Sequence, residues 1–195
     1  MGLEVDIVAD PVELVDADAI LLPVDGQICR LGGAVAGALR RALAPDERVD
    51  EMDYVEGELA RLRPLPHPEA RAIDGVARWP KIVVSAAYPH NVDGRVFSPD
   101  DCAGMIRSAI PVAIALVDEL AISSIAATLI GTAYRMSAEL AVRAFVDGLA
   151  SAAKHRVLLR WSLPDAGHRQ LAETACNRLG IVLCRRHPLG STRDR

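Results

Sequence analysis

Six short apolar runs alternate with longer, periodically patterned segments along this chain of 195 residues. The runs are VDIVA (5–9), AILLPV (19–24), KIVVSA (81–86), SIAATLI (124–130), RVLLRW (156–161) and IVLCR (181–185). Being apolar on nearly every position, they predict strands buried on both faces rather than half-exposed ones. A weaker segment, GELARLRPL (57–65), spaces Leu59, Leu62 and Leu65 imperfectly and is expected to be an edge strand ending at Pro64 and Pro66.

Four helices are predicted between the runs. The first covers 33–43, directly after Gly32 and Gly33. The second covers 98–120 and opens on a strong start signal: Ser98 as N-cap, Pro99 in the first turn, then Asp100 and Asp101. Pro111 is expected to kink it. The third covers 137–154, from Ser137 and Glu139 to Lys154, and the fourth 165–180, capped by Asp165 and stopped by Gly180. Residues 44–80 break the rhythm with prolines and charges and are expected to hold a loop with one or two edge strands. Strands alternating with helices predict an α/β fold of three α/β/α layers around a mostly parallel, mixed sheet. One domain over 1–187 is expected, followed by a flexible basic tail over 188–195.

Composition narrows the functional classes. Hydrophobic residues make up 51% of the chain and aromatics only 4%, so Ala, Val, Leu and Ile carry the packing. A net charge of −4 argues against general nucleic-acid binding, which leaves a basic footprint. Arg185, Arg186, Arg193 and Arg195 make the C-terminus locally basic and read as a solvated end. The N-terminus lacks the basic and apolar regions of a signal peptide, and no apolar run reaches the roughly 18 residues of a membrane span. Cys29, Cys102, Cys176 and Cys184 have no paired spacing and the five histidines no metal-ligand spacing. A cytoplasmic location with reduced thiols is therefore expected, with no membrane association, no metal and no cofactor.

The chemistry is expected at two loops. In a parallel sheet, ligands bind beyond the carboxyl ends of the strands. Residues 23–33 (PVDGQICRLGG) and 130–137 (IGTAYRMS) each leave an apolar strand, pass a glycine and enter a helix N-terminus, where free N–H groups attract anions. Side by side, they could hold a diphosphate by backbone alone. The P-loop, dinucleotide-binding and serine-elbow signatures are absent. His90, Asn91 and Asp93 follow a core strand. A histidine beside an aspartate is a general-base arrangement, and a solvated loop is the competing reading.

The order of these motifs resembles that of macrodomains, the ADP-ribose-binding modules. ADPV at 9–12 stands where that family has a Gly-Asp-Ile-Thr-like turn, DAILLPVD at 18–25 where it has its DAIVNAAN-type strand, and LGGAVAGAL at 31–39 where it has a glycine-rich loop and helix. KIVVSAAYP at 81–89 stands in the place of the family's VIHTVGP-like strand, and SIAATLIGTAYRM at 124–136 in that of its SIAFPAIGTGVYG stretch. The resemblance spans roughly residues 5–162. It is shared in part by the amino-terminal domain of leucine aminopeptidases, which carries LGAA- and GAYRF-like stretches.

The resemblance implies a role for each matched residue. Asp10 would accept a hydrogen bond from the adenine amino group; a turn residue before Pro11 is the alternative. Gly32, Gly33, Ala34 and Val35 would form the first phosphate loop, against an ordinary helix start. Gly131, Thr132, Ala133 and Tyr134 would form the second, with Tyr134 beside the distal ribose, against a plain turn with a core tyrosine.

The departures also matter. The family's two asparagines correspond to Leu22 and Asp25 here. Asp25 could accept ribose hydroxyls but adds negative charge beside a diphosphate, which Arg30 or Arg135 would have to offset. Ala34 and Ala133 stand where the family has glycines, and a glycine after the aromatic is missing. The resulting expectation is a non-catalytic module that binds ADP-ribose or a related nucleotide diphosphate, free or on an ADP-ribosylated protein. The alternatives are an ADP-ribosyl hydrolase, with Asp25 and His90 as candidate catalytic residues, and a ligand-free structural or partner-binding domain.

Overall fold

The computed structural model describes residues 2–43, 47–90, 97–132 and 135–184. Among these residues seven strands form one sheet: β1 (Glu4–Val8), β2 (Ala19–Asp25), β3 (Ala70–Asp74), β4 (Lys81–Tyr88), β5 (Ser124–Thr128), β6 (Leu158–Ser162) and β7 (Val182–Leu183). Their order across the sheet is β3-β4-β2-β5-β6-β1-β7. Every pairing is parallel except that of the edge strand β3 with β4. The carboxyl ends of β4, β2, β5, β6 and β1 therefore lie along one rim.

Among the described residues five α-helices cover the two faces: α1 (Gly33–Ala42), α2 (Arg48–Arg61), α3 (Pro99–Glu119), α4 (Ala138–Ser151) and α5 (Ala166–Arg178). Strand alternation divides the core between them. Ala19 and Leu21 of β2 point into the layer shared with α3, α4 and α5. Ile20, Leu22 and Val24 point into the layer shared with α1 and α2. Continuous apolar runs are needed here because both faces of the central strands are buried. In the first layer Phe145 stacks on Trp161 with ring centroids 4.6 Å apart. In the second, Trp79 is fully buried and its indole N–H donates to the Val15 carbonyl at 3.2 Å.

The predicted helix starts match local hydrogen bonding. Ser98 accepts from the Asp101 N–H while Asp101 accepts from the Ser98 N–H, a reciprocal cap. Ser137 caps α4 and Asp165 caps α5 through their own side chains. Helix α3 continues through Pro111 to Glu119.

Residues 44–80, expected to hold a loop with one or two edge strands, also contain the 14-residue helix α2. Residues 57–65 are not an edge strand: α2 runs to Arg61. Met52, Val55 and Leu59, spaced three and four apart, form its buried stripe, so the leucine spacing was helical. The edge strand of this region is β3, further along. The basic tail 188–195, Arg185 and Arg186 lie outside the described residues. Among the described residues no helix is long and apolar enough to cross a membrane.

Candidate ligand cleft

The loop after β2 is shaped by its backbone. Asp25 ends the strand, and its carbonyl accepts from the N–H groups of Ile28 and Cys29 at 3.2 and 2.8 Å. Its carboxylate Oδ1 accepts from the Gln27 N–H at 3.0 Å. The Gly26 carbonyl accepts from the Leu65 N–H at 2.8 Å, and a Cβ added at Gly26 would lie 1.9 Å from the Leu65 carbonyl oxygen. Only glycine allows that approach. Cys29 is buried, donates its thiol to the Gly26 carbonyl at 3.2 Å, and is pushed upward in pKa by burial. It is thus a packed thiol rather than a reactive one.

The loop then delivers Gly32 and Gly33 to the start of α1. Gly32 is the N-cap, with extended backbone and no side chain to satisfy the first-turn N–H groups, and that turn carries no acidic residue. Gly33 has φ +65°. A Cβ added at either glycine would meet nothing within 4 Å, so both open onto space. Val35 is buried in the core layer beneath, and it also lines the cavity that these glycines open onto.

Because β2 and β5 are neighbours, the loops that follow them meet. A cavity of about 270 Å³ is lined by Asp25, Ile28, Arg30, Gly32, Gly33 and Ala34 on one side and by Thr128, Leu129 and Thr132 on the other. Tyr88, at the end of β4, completes it. A second cavity of about 280 Å³ shares Ala34, Thr128, Leu129 and Thr132 and extends towards Pro11, Val12, Glu13, Ser162, Pro164 and His168. The two form one cleft along the rim of the sheet.

Gly131 has a structural reason of its own. Its φ is +109°, and a Cβ would lie 2.6 Å from Met136 Sδ and 3.0 Å from Ile106 Cδ1. The start of α4 is not an open anion site in the way that of α1 is, because Ser137 Oγ accepts from the Leu140 N–H. Arg135 is exposed, and Arg30 is the arginine that lines the first cavity. Leu22, matched to the first asparagine of the family, is fully buried in β2. Asp10 is exposed immediately before the Pro11–Glu13 wall, with its carbonyl accepting from Ser162 Oγ at 2.8 Å. Ala133, Tyr134, Asn91 and Asp93 lie outside the described residues.

His90 does pair with an aspartate, but with Asp25 rather than with its neighbour in sequence. Its Nδ1 donates to Asp25 Oδ2 at 2.8 Å. Glu13 is held by Arg41, whose Nε and Nη2 approach its two carboxylate oxygens at 2.5 and 3.1 Å. That fork keeps the Glu13 carboxyl below the usual carboxylate range. Glu13, Arg41, Ser162, Pro164 and His168 were not singled out from the sequence, although Thr128 and Ser162 end strands at the rim where such residues are expected.

Comparison with solved structures settles the architecture. A macrodomain of Oceanobacillus iheyensis, solved with ADP, superposes with a TM-score of 0.67 over 89% of this chain and 90% of that one, at 19% identity. The chain has the macrodomain fold. The same protein solved with MES gives the same TM-score and identity. A Trypanosoma brucei macrodomain in complex with ADP-ribose gives 0.63 at 17% identity, over 87% of this chain and 68% of that one. No family model matches the sequence, and no curated protein does. At such identities the likeness is one of macrodomain architecture, with strands and helices in the same places and loop residues free to differ. Among the described residues no group of three or more His, Cys, Asp or Glu side chains is placed to hold a metal ion.

Proposed function

We propose that the cleft binds ADP-ribose, or a nucleotide diphosphate of the same build, free or as an ADP-ribosyl group on a protein. The observation that carries this reading is the uncapped, acid-free start of α1 opening into the cavity shared by the loops after β2 and β5. First-turn N–H groups have no intrahelical acceptor, and the helix dipole favours an anion there. The diphosphate would sit on Gly32, Gly33 and Ala34, opposite Thr132. The base would lie in the second cavity beside Asp10, Pro11 and Val12.

The negative charge of Asp25 is the main objection, and its surroundings reduce it. Both carboxylate oxygens accept hydrogen bonds, from Gln27 N–H and from His90, and Arg30 lines the same cavity. Macrodomains with ADP or ADP-ribose bound are among the similar structures, which supports this ligand class. Calorimetric titration with ADP-ribose, with AMP and NAD as controls, tests the reading. Saturable binding of ADP-ribose, abolished by Gly32→Val, is expected; no heat with any of the three ligands would refute it.

A further inference from the structure

His67, in the turn before β3, meets Ser108 of α3, and neither residue lines the rim cleft. The imidazole is held at both nitrogens. Nδ1 lies 2.7 Å from the Ala86 carbonyl oxygen, and Nε2 lies 2.8 Å from Ser108 Oγ. A carbonyl only accepts, so Nδ1 carries the proton, and in the neutral ring the Nε2 lone pair faces the serine hydroxyl. Ser108 Oγ also lies 3.1 and 3.2 Å from the carbonyls of Gly104 and Met105, the ordinary acceptors of a helical serine. Its single proton goes to the nearer and more basic imidazole. A nucleophile, a base within hydrogen-bond reach and a third group that orients the base make up the arrangement that activates a serine. Both residues are exposed, so an electrophile reaches them from solvent.

Along α3 from this pair runs a cavity of about 390 Å³, whose lining includes Glu69, Ala70, Pro111, Val112, Ala115 and Leu116. Pro111, Val112 and Ala115 follow Ser108 on one face of the helix, at spacings of three, four and seven, and Glu69 is two residues from His67. The wall that α3 gives the cavity is apolar there. The interior of the helix also limits the chemistry. Ser108 stands well inside α3, where backbone N–H groups are committed to the helix ladder and none is free to hold an oxyanion. A leaving group that departs easily is therefore required, and a thiolate is one where an amine is not.

We propose that Ser108 is a nucleophile, with His67 as its general base, that accepts the acyl group of a thioester whose short apolar acyl chain lies in this groove. The site does not depend on a nucleotide in the rim cleft. The step needs no other reactant. Ser108 Oγ bonds to the thioester carbon as its proton passes to His67 Nε2. The tetrahedral intermediate expels sulfur as the carbon–sulfur bond breaks, and the imidazolium returns the proton to that thiolate. The products are a free thiol and a serine esterified at Oγ. The Nδ1–H bond to the Ala86 carbonyl holds the ring in place throughout.

The test incubates the protein with the butyryl thioester of N-acetylcysteamine and follows thiol release, with peptide mass spectrometry to place the butyryl group. A butyryl group on Ser108 is expected, and Ser108→Ala should release no thiol above a protein-free control. His67→Gln should slow acylation by about 100-fold or more. Thr174→Ala, which removes a helical hydroxyl that donates to the Gln170 carbonyl rather than to a histidine, should keep the wild-type rate. Ala115→Phe fills the groove, so it should slow transfer of butyryl at least about tenfold while changing that of acetyl by less than about threefold. Thermal melting confirms that each variant is folded, and Ala115→Phe decides the matter if His67→Gln is not. An unlabelled Ser108, an undiminished rate in His67→Gln, or equal slowing of both acyl groups in Ala115→Phe would overturn the proposal.

Discussion

Arg41 lays its guanidinium in a fork on the carboxylate of Glu13, tying the last turn of α1 to the short turn after β1 along the wall of the second cavity. The Glu13 side chain is 16% exposed and that of Arg41 59%, so solvent screens much of the attraction. Because the folded-state pKa of Glu13 lies below its ordinary value, the pair stabilises the fold above the unfolded pKa and loses that contribution as pH falls through the folded one. Arg41→Ala should therefore cost about 0.5–1 kcal/mol at pH 7, and the difference from wild type should vanish in acid. Urea denaturation at a series of pH values descending from 7 checks both halves.

Gly32 and Gly33 should respond differently to the same substitution. Both open onto the cleft, so Val at either fills ligand space. Gly32 has extended backbone that any residue adopts, whereas Gly33 has φ +65°. Gly32→Val should abolish ADP-ribose binding with little change in stability. Gly33→Val should abolish it and also destabilise the protein by at least about 1–2 kcal/mol, the cost of left-handed backbone. Calorimetry and chemical denaturation on the two variants separate these effects.

Asp10→Ala should weaken ADP-ribose binding by about 1.5–3 kcal/mol, the range for a hydrogen bond to a charged acceptor. Its exposure keeps the effect on folding small. Equal dissociation constants for wild type and variant, by calorimetry, would remove the adenine contact.

Gly131→Ala is expected to act on stability first. The new methyl would press on Met136 Sδ and Ile106 Cδ1, and the backbone there is in a region that favours glycine. Strain and overpacking together should cost about 2 kcal/mol or more. Adding Met136→Ala should recover only the overpacking part, read as a partial return of the denaturation midpoint.

The strands and capped helices were legible because their signals are local. A run such as AILLPV has no polar face to offer water, and Ser98-Pro99-Asp100-Asp101 satisfies its own helix start. Residues 57–65 misled because Leu59, Leu62 and Leu65 fit two periods poorly, and the helical one is resolved only by including Met52 and Val55. In the cleft, the two glycine loops could be placed together because each follows a strand. The partner of His90 could not: Asp25 is 65 positions away, and only the adjacency of β2 and β4 brings them into contact. Glu13 and Arg41, 28 positions apart, escaped for the same reason. Gly131 looked like a phosphate-loop glycine, yet its conformation and its packing against Met136 explain it without a ligand.

The two tryptophans lie in different layers of the core, Trp79 in the one under α1 and α2 and Trp161 in the one under α3, α4 and α5. Each is fully buried, so each emits from a dry surrounding that ends when its own side of the sandwich opens. A pair of single-tryptophan proteins would thus watch the halves separately: coincident midpoints would mean that the sheet binds them into one cooperative unit.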